Sequence, residues 1–195
     1  MSVIYLNSLG GGETLPIKTL FDFNFKDSLI DRIHGFEATL KNGATRDNNG
    51  VYLSGITQYI DLKNVPLCLS NRKTTYEIKI GDCAIQNAST NNRFFMWTKE
   101  RGLVYRGAQS SWQVYNGSSW YQGSGSSDPN VFKNKTCKLV FTDTNNLKVY
   151  SDDTLVFSNS YISMQNNVYV NEFRLGGDAT SFYNIYIERF KAYIE

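Results

Sequence analysis

The sequence predicts an all-β fold, a two-sheet antiparallel β-sandwich of jelly-roll type. Three observations carry this expectation. Short runs rich in branched and aromatic residues recur along the chain, and many alternate apolar and polar positions with period two. Gly, Asn, Asp and Ser gather between these runs, where tight connections need positive φ. No long segment repeats apolar residues at helical spacing. A chain of 195 residues suits one domain with one core and buries roughly 70% of its unfolded surface.

The elements follow in order. Residues 1–17 stand apart: a short apolar piece, Val3, Ile4, Tyr5 and Leu6, precedes the flexible joint Gly10-Gly11-Gly12. It reads either as a first edge strand of the sandwich or as an arm that docks on a neighbouring chain by strand addition. Residues 18–195 form the sandwich itself, with strands expected at 18–25, 50–53, 58–62, 75–80, 93–98, 103–106, 112–115, 120–122, 138–142, 147–151, 154–158, 172–175 and 184–193. Tyr76, Ile78 and Ile80 share one face of their run, with Glu77 and Lys79 on the other. The pairs Asn42-Gly43, Asn49-Gly50, Asn116-Gly117 and Asn145-Asn146 read as turns. A helical turn at Val65–Leu69 is kept short by Pro66.

Composition narrows the function. Lys and Arg number 20 against 18 Asp and Glu, with no basic cluster, so binding nucleic acid by phosphate neutralisation is not expected. Charged residues make up 19% and aromatics 14%, which is not the composition of a disordered chain. Residues 1–15 lack a signal-peptide pattern, and no run approaches the ~20 apolar residues of a transmembrane helix, so no membrane insertion is expected. Cys68, Cys83 and Cys137 form no C-x-x-C and read as buried free thiols of a reducing compartment. The single histidine, His34, lies in a loop-like stretch and reads as non-catalytic. Sequons at Asn87, Asn116 and Asn134 read as accidents of an Asn-rich chain without a signal peptide.

Three stretches then point further: Leu20 to Leu29 with Asp31, Gly35, Gly50–Gly55 and Tyr59–Leu62; Lys138–Phe141 with Leu147–Phe157; and Phe173–Gly177 with Asn184–Tyr193. In order and spacing they resemble the opening strands, the central hairpin and the closing strands of the concanavalin A-like lectin/glucanase superfamily, in its laminin-G-like and pentraxin-like domains. The resemblance covers residues 18–195 and implies two curved antiparallel sheets with first and last strands adjacent. Two departures stand out. The family's Y-V-D-G turn is Tyr150-Ser-Asp-Asp153 here, and the closing strand carries Ile187-Glu188 where relatives often have Asp. Some relatives bind Ca²⁺ near the opening loop, which implies Asp27 and Asp31 as weak candidate ligands; solvated turn carboxylates are the alternative, since a hard cation needs six or more oxygens. No other cofactor is expected.

Glucanases of this superfamily set carboxylates about 5–9 Å apart across the scissile bond. The family's E-x-D-x-x-E pattern does not occur here. Glu77, Glu172 and Glu188 fall on separate predicted strands and read as polar residues of a solvent-facing sheet. A glycoside hydrolase is therefore disfavoured, and the chain is read as no enzyme.

The richest segment is 93–121, with Trp97, Trp112, Trp120, Tyr105, Tyr115 and Tyr121. A two-residue turn at Asn116-Gly117 would pair Gln113 with Trp120 and Trp112 with Tyr121. One face then holds Trp112, Val114 and Tyr121 and reads as core. The other holds Gln113, Tyr115 and Trp120, the flat rings and amides that recognise sugars. An aromatic-rich core with ordinary exposed tyrosines is the alternative reading. The candidate carbohydrate contacts are Trp120, Tyr115, Gln113, Trp97 and Tyr105. Two functions follow: a non-enzymatic surface module of a viral particle, such as a phage capsid-decoration, head-fibre or tail-associated protein, or a stand-alone carbohydrate-binding module or lectin. Both accommodate cell-surface or mucosal glycans as partners. The first adds virion proteins or a second copy, docked through Val3–Leu6, and places the chain on the virion surface.

Overall fold

The computed structural model describes residues 18–54, 57–63, 65, 73–85, 91–96, 101–116, 119–142, 146–159, 173–177 and 183–195. Its strands are β1 (Lys18–Asn24), β2 (Ala38–Lys41), β3 (Thr45–Asp47), β4 (Gly50–Leu53), β5 (Tyr59–Leu62), β6 (Thr74–Ile85), β7 (Asn91–Met96), β8 (Arg101–Arg106), β9 (Ser111–Asn116), β10 (Trp120–Gln122), β11 (Ser124–Gly125), β12 (Thr136–Phe141), β13 (Leu147–Ser151), β14 (Thr154–Asn159), β15 (Phe173–Gly176) and β16 (Tyr183–Ile194). Among the described residues the helical content is one 3-10 turn, Gly107–Gln109. No helix there is long and apolar enough to cross a membrane.

The strands form two antiparallel sheets, and the fold is a β-sandwich. The nine-stranded sheet runs β11-β14-β13-β12-β6-β16-β4-β3. In it, β1 pairs with β16 along Arg189–Ile194 and β4 pairs with it along Ile185–Ile187, so first and last strands are adjacent. The seven-stranded sheet runs β10-β9-β8-β7-β15-β5-β2.

Period-two alternation places the core. In β1, Phe21 and Phe23 point inward with the following Phe25, while Asp22 and Asn24 point out. Tyr76 on β6 anchors the middle of the core. Its ring lies 5.6 to 6.4 Å from those of Phe21, Phe95, Phe141, Phe173 and Phe190, drawn from both sheets. A second cluster packs Trp112 against Phe94, Tyr105 and Phe132 at 4.9 to 5.6 Å. Phe94 and Phe95 are consecutive yet both buried in the core, because a bulge after Arg93 lets two neighbours face the same way.

The structure departs from the sequence reading in its connections. Asn42 (φ 56°) and Gly43 (φ 85°) form the expected positive-φ turn. The turn does not close a hairpin: β2 pairs with β5 in one sheet and β3 with β4 in the other, so it is the corner where the chain crosses the sandwich. Strands β2, β3 and β11 were not expected; all are short, β3 and β11 carry no apolar run, and pairing rather than propensity makes them strands. Pro66–Leu69, Val3–Leu6, Gly10–Gly12, Cys68, Asn87, Asn145, Trp97 and Glu172 lie outside the described residues. Cys83 and Cys137 are buried free thiols, and burial pushes the Cys137 thiol well above its ordinary value.

Candidate functional site

The two outer faces of the sandwich differ in chemistry. On the nine-stranded sheet, Tyr150, Lys138, Glu77, Lys191 and Asp22 lie opposite one another in that order across β13, β12, β6, β16 and β1. Alternating charges directly opposed across strands stabilise one another. Glu77 accepts a hydrogen bond from the Tyr193 hydroxyl at 3.0 Å, and Glu188 pairs with Lys26 at 2.8 Å. Each of these carboxylates therefore faces a donor or a cation. A shallow cleft of about 270 Å³ on this sheet is lined by Lys73, Lys138, Tyr150, Asp153, Tyr193 and Glu195 among others.

The seven-stranded sheet presents a different surface. Register sets one row straight across it: Thr39, Asp61, Arg174, Met96, Gly102, Tyr115 and Trp120. Six strand intervals of about 4.8 Å give this row a length of about 29 Å. A second row beside it holds Lys41, Tyr59 and Gly176 at one end and Val104, Gln113 and Gln122 at the other. Both rows point away from the core, and neither Met96 nor Val104 belongs to the core cluster, yet both are buried. Gly102 leaves room for Met96, since a Cβ there would meet the methionine sulfur and the Phe95 carbonyl oxygen.

Polar and aromatic groups gather at both ends of this floor. At one end the Trp120 and Tyr115 rings lie 4.6 Å apart, tilted by 35°. The Arg106 guanidinium lies over the indole at 4.4 Å. Its Nη1 also donates to Gln113 Oε1 at 3.3 Å, and Gln113 Nε2 donates to Ser111 Oγ at 2.9 Å. At the other end the Arg174 guanidinium lies over Tyr59 at 4.7 Å, next to Asp61. Among the described residues, the buried atoms Asp61 Oδ1 and Arg106 Nε have no hydrogen-bond partner. A polar atom taken out of water without a partner costs about 1–3 kcal/mol.

The candidates from sequence are placed unequally. Trp120 and Tyr115 are half-buried neighbours on the outer face. Gln113 shares that face but is 3% exposed, so its amide acts beneath Arg106 and not at the surface. Tyr105 is a correction: it pairs with Trp112 on the core side, is 1% exposed, and donates its hydroxyl to the Ser127 carbonyl at 3.0 Å. Trp112 Nε1 donates in the same way to the Asp128 carbonyl, so both polar tips are satisfied by the 127–128 backbone. The expected hairpin register is also corrected. Trp120 pairs with Tyr115 and Tyr121 with Val114, two residues away from a two-residue turn. A slip of two preserves the faces, so Gln113, Tyr115 and Trp120 still lie together. Arg174, Asp61 and Tyr59 were missed because they reach this face through partners distant in sequence, and Arg106 was missed although its partner Gln113 lies on the next strand.

Asp27 and Asp31 serve the opening loop. Asp27 accepts from Asn24 Nδ2 at 2.7 Å and pairs with Arg32. Asp31 accepts from the backbone N–H groups of Asp22 and His34, both at 2.5 Å. Among the described residues, no three His, Cys, Asp or Glu side chains gather in a metal-binding arrangement.

No protein-family model and no curated protein matches this chain. Solved structures do match its fold. A Trypanosoma rangeli sialidase is similar with a TM-score of 0.63 at 15% identity, over 90% of this chain and 30% of that one. The botulinum neurotoxin serotype D binding domain gives 0.61 at 14%, over 90% and 48%. The binding domain of botulinum neurotoxin DC, solved in complex with SialylT, gives 0.62 at 11%, over 89% and 47%. The chain spans about half or less of these proteins, and at such identities the likeness is one of fold alone, a β-sandwich.

Proposed function

We propose that this chain is a non-enzymatic glycan-binding module whose ligand lies on the outer face of the seven-stranded sheet. The observation that carries the reading is the half-buried Trp120–Tyr115 pair, with Arg106 and Gln113 beside it, at the end of a row that crosses the sheet. Flat rings stack on the apolar C–H faces of sugars, while guanidinium and amide groups bond their hydroxyls. Arg106 covers the indole at 4.4 Å, so cation and ring present one composite surface to a ligand. Binding domains among the similar folds support the reading by analogy alone. So does the kinship with concanavalin A-like domains that the sequence motifs suggest.

Glycan-array binding of the full chain and of Trp120→Ala tests this proposal. The variant keeps the wild-type circular dichroism, since the ring is half-buried outside the core, and loses glycan retention. Equal retention by both proteins refutes the site. Release of reducing ends from a retained glycan refutes the non-enzymatic part of the reading.

From the sequence alone we propose a setting on the surface of a viral particle, reached through residues 1–17. Deletion of residues 1–12 then abolishes co-sedimentation with particles while leaving glycan retention intact; sedimentation of the deleted chain with particles counts against that setting.

A further inference from the structure

We infer that the cleft on the opposite, nine-stranded sheet is a second saccharide site, for a single neutral sugar ring with a hydroxyl bridging Lys138 and Asp153. The inference does not depend on the Trp120–Tyr115 site, which lies on the other sheet.

Lys138 carries the argument. Three other lysines close directly onto carboxylates: Lys26 on Glu188 at 2.8 Å, Lys133 on Asp82 at 2.8 Å and Lys73 on Glu195 at 2.5 Å. Lys138 Nζ instead stands 3.9 Å from Glu77 Oε1 and 4.0 Å from Asp153 Oδ1, and among the described residues it makes no hydrogen bond. Its side chain is partly exposed and that of Asp153 fully so. Both carboxylates are placed by other bonds. Glu77 accepts from the Tyr193 hydroxyl at 3.0 Å. The turn that bears Asp153 is pinned to β12, where Asp152 N donates to the Thr136 carbonyl at 2.8 Å and Thr136 N donates to Asp152 Oδ1 at 2.9 Å.

The gap defines the ligand. Between Lys138 and Asp153, 4.0 Å apart, one oxygen fits at about 2.8 Å from each. That oxygen must accept from an ammonium and donate to a carboxylate, and a hydroxyl does both. An ionised phosphate or carboxylate has no proton for Asp153 and is repelled by it. An ammonium has no acceptor for Lys138.

The surroundings suit a sugar. Tyr150 stands directly opposite Lys138, half-buried, and its ring has no aromatic or cationic partner among the described residues. Tyr193 lines the same cleft, and the buried Val140 and Thr75 close its bottom. A sugar packs its C–H face on a phenol while its hydroxyls meet the polar walls. The volume of about 270 Å³ falls just below the ~300 Å³ at which small-molecule sites begin, which suits one ring and not a chain.

Amide chemical-shift titration of the full chain with methyl glycosides of glucose, galactose and mannose tests the inference. At least one should shift the amides of Lys138, Tyr150, Asp153 and Tyr193 saturably, in wild type and in Trp120→Ala alike. An open cleft of this size holds one ring with a dissociation constant of about 1 mM or weaker. That is too weak to survive the washing of a glycan array, so retention through Trp120 is read separately. Lys138→Met and Asp153→Ala, both at exposed positions and melting like wild type, should each weaken the binding about tenfold. Methyl glucuronide should bind more weakly than methyl glucoside. Unchanged affinity in both variants, or glucuronide binding as tightly as glucoside, overturns the bridging hydroxyl. Shifts confined to residues 113–122 overturn the second site and leave the Trp120 reading standing. Shifts at the cleft, with no Trp120-dependent retention of any glycan, support the second site and sink the first.

Discussion

Replacing Asp22 by Asn removes the charge from one buried carboxylate and leaves its shape unchanged. The side chain is 11% exposed and receives Arg189 Nε at 2.7 Å and Nη2 at 2.5 Å, a forked pair joining β1 to the closing strand β16. An amide can accept one of those bonds; its NH₂ then faces the second guanidinium donor. The Arg189 side chain is 47% exposed, so water resolvates part of the abandoned cation. The loss is therefore that of a charge-assisted hydrogen bond, about 1.5–3 kcal/mol, below the 3–5 kcal/mol of breaking a fully buried pair. Arg189's hydrogen bonds hold the Asp22 carboxyl below the usual carboxylate range; burial opposes this, and the charges of Arg189, Arg32 and Lys191 assist. A depressed folded pKa contributes stability above the unfolded value near 3.8, which is lost as pH falls through the folded value. Urea unfolding of wild type and Asp22→Asn at pH 7 should give midpoints about 1 M apart for a slope of about 2 kcal/mol/M. The gap should shrink as the pH is lowered through the acid range. A cost at pH 7 below about 0.5 kcal/mol, or one equally large in strong acid, refutes the reasoning.

Two further predictions are independent of the first. Gly50 has φ +120°, and a Cβ there would sit 2.5 Å from the Ile187 carbonyl oxygen, whereas Gly35 has φ +72° and open space around it. Gly50→Ala should cost at least about 2 kcal/mol and Gly35→Ala about 1 kcal/mol, both read from denaturant midpoints; equal costs would show that the contact with β16 does not matter. The Tyr193 phenol is pushed up to about 12 by burial and by its hydrogen bond to Glu77. The raised value favours the protonated form in the fold, so that contribution is intact below pH 10 and is lost as pH rises from 10 towards 12. Ultraviolet titration of tyrosinate should lose one phenol ionising near 12 in Tyr193→Phe, and an unchanged late phase would refute the assignment.

Much of the fold was legible because its signal is local. Phe21, Phe23 and Phe25 alternate with Asp22 and Asn24 whatever strand lies beside them, and the pleat turns that alternation into an inside and an outside. The same parity kept Gln113, Tyr115 and Trp120 on one face although the expected hairpin register was off by two. Parity also put Tyr105 with Trp112 in the core, where single-residue chemistry had suggested a ligand contact.

Partner choice between strands was not legible, because it is settled by contacts far apart in sequence. Asn42-Gly43 reads the same in a hairpin as at a corner between sheets; the pairing of β2 with β5 and β3 with β4 decides which it is. Arg174 meets Met96 and Asp61 only after β15 has come between β7 and β5. The sequence by itself determined which side chains face in and which face out. Tertiary structure alone decided which outward-facing residues stand in one row, since a row across a sheet is made of strands that the chain visits out of order.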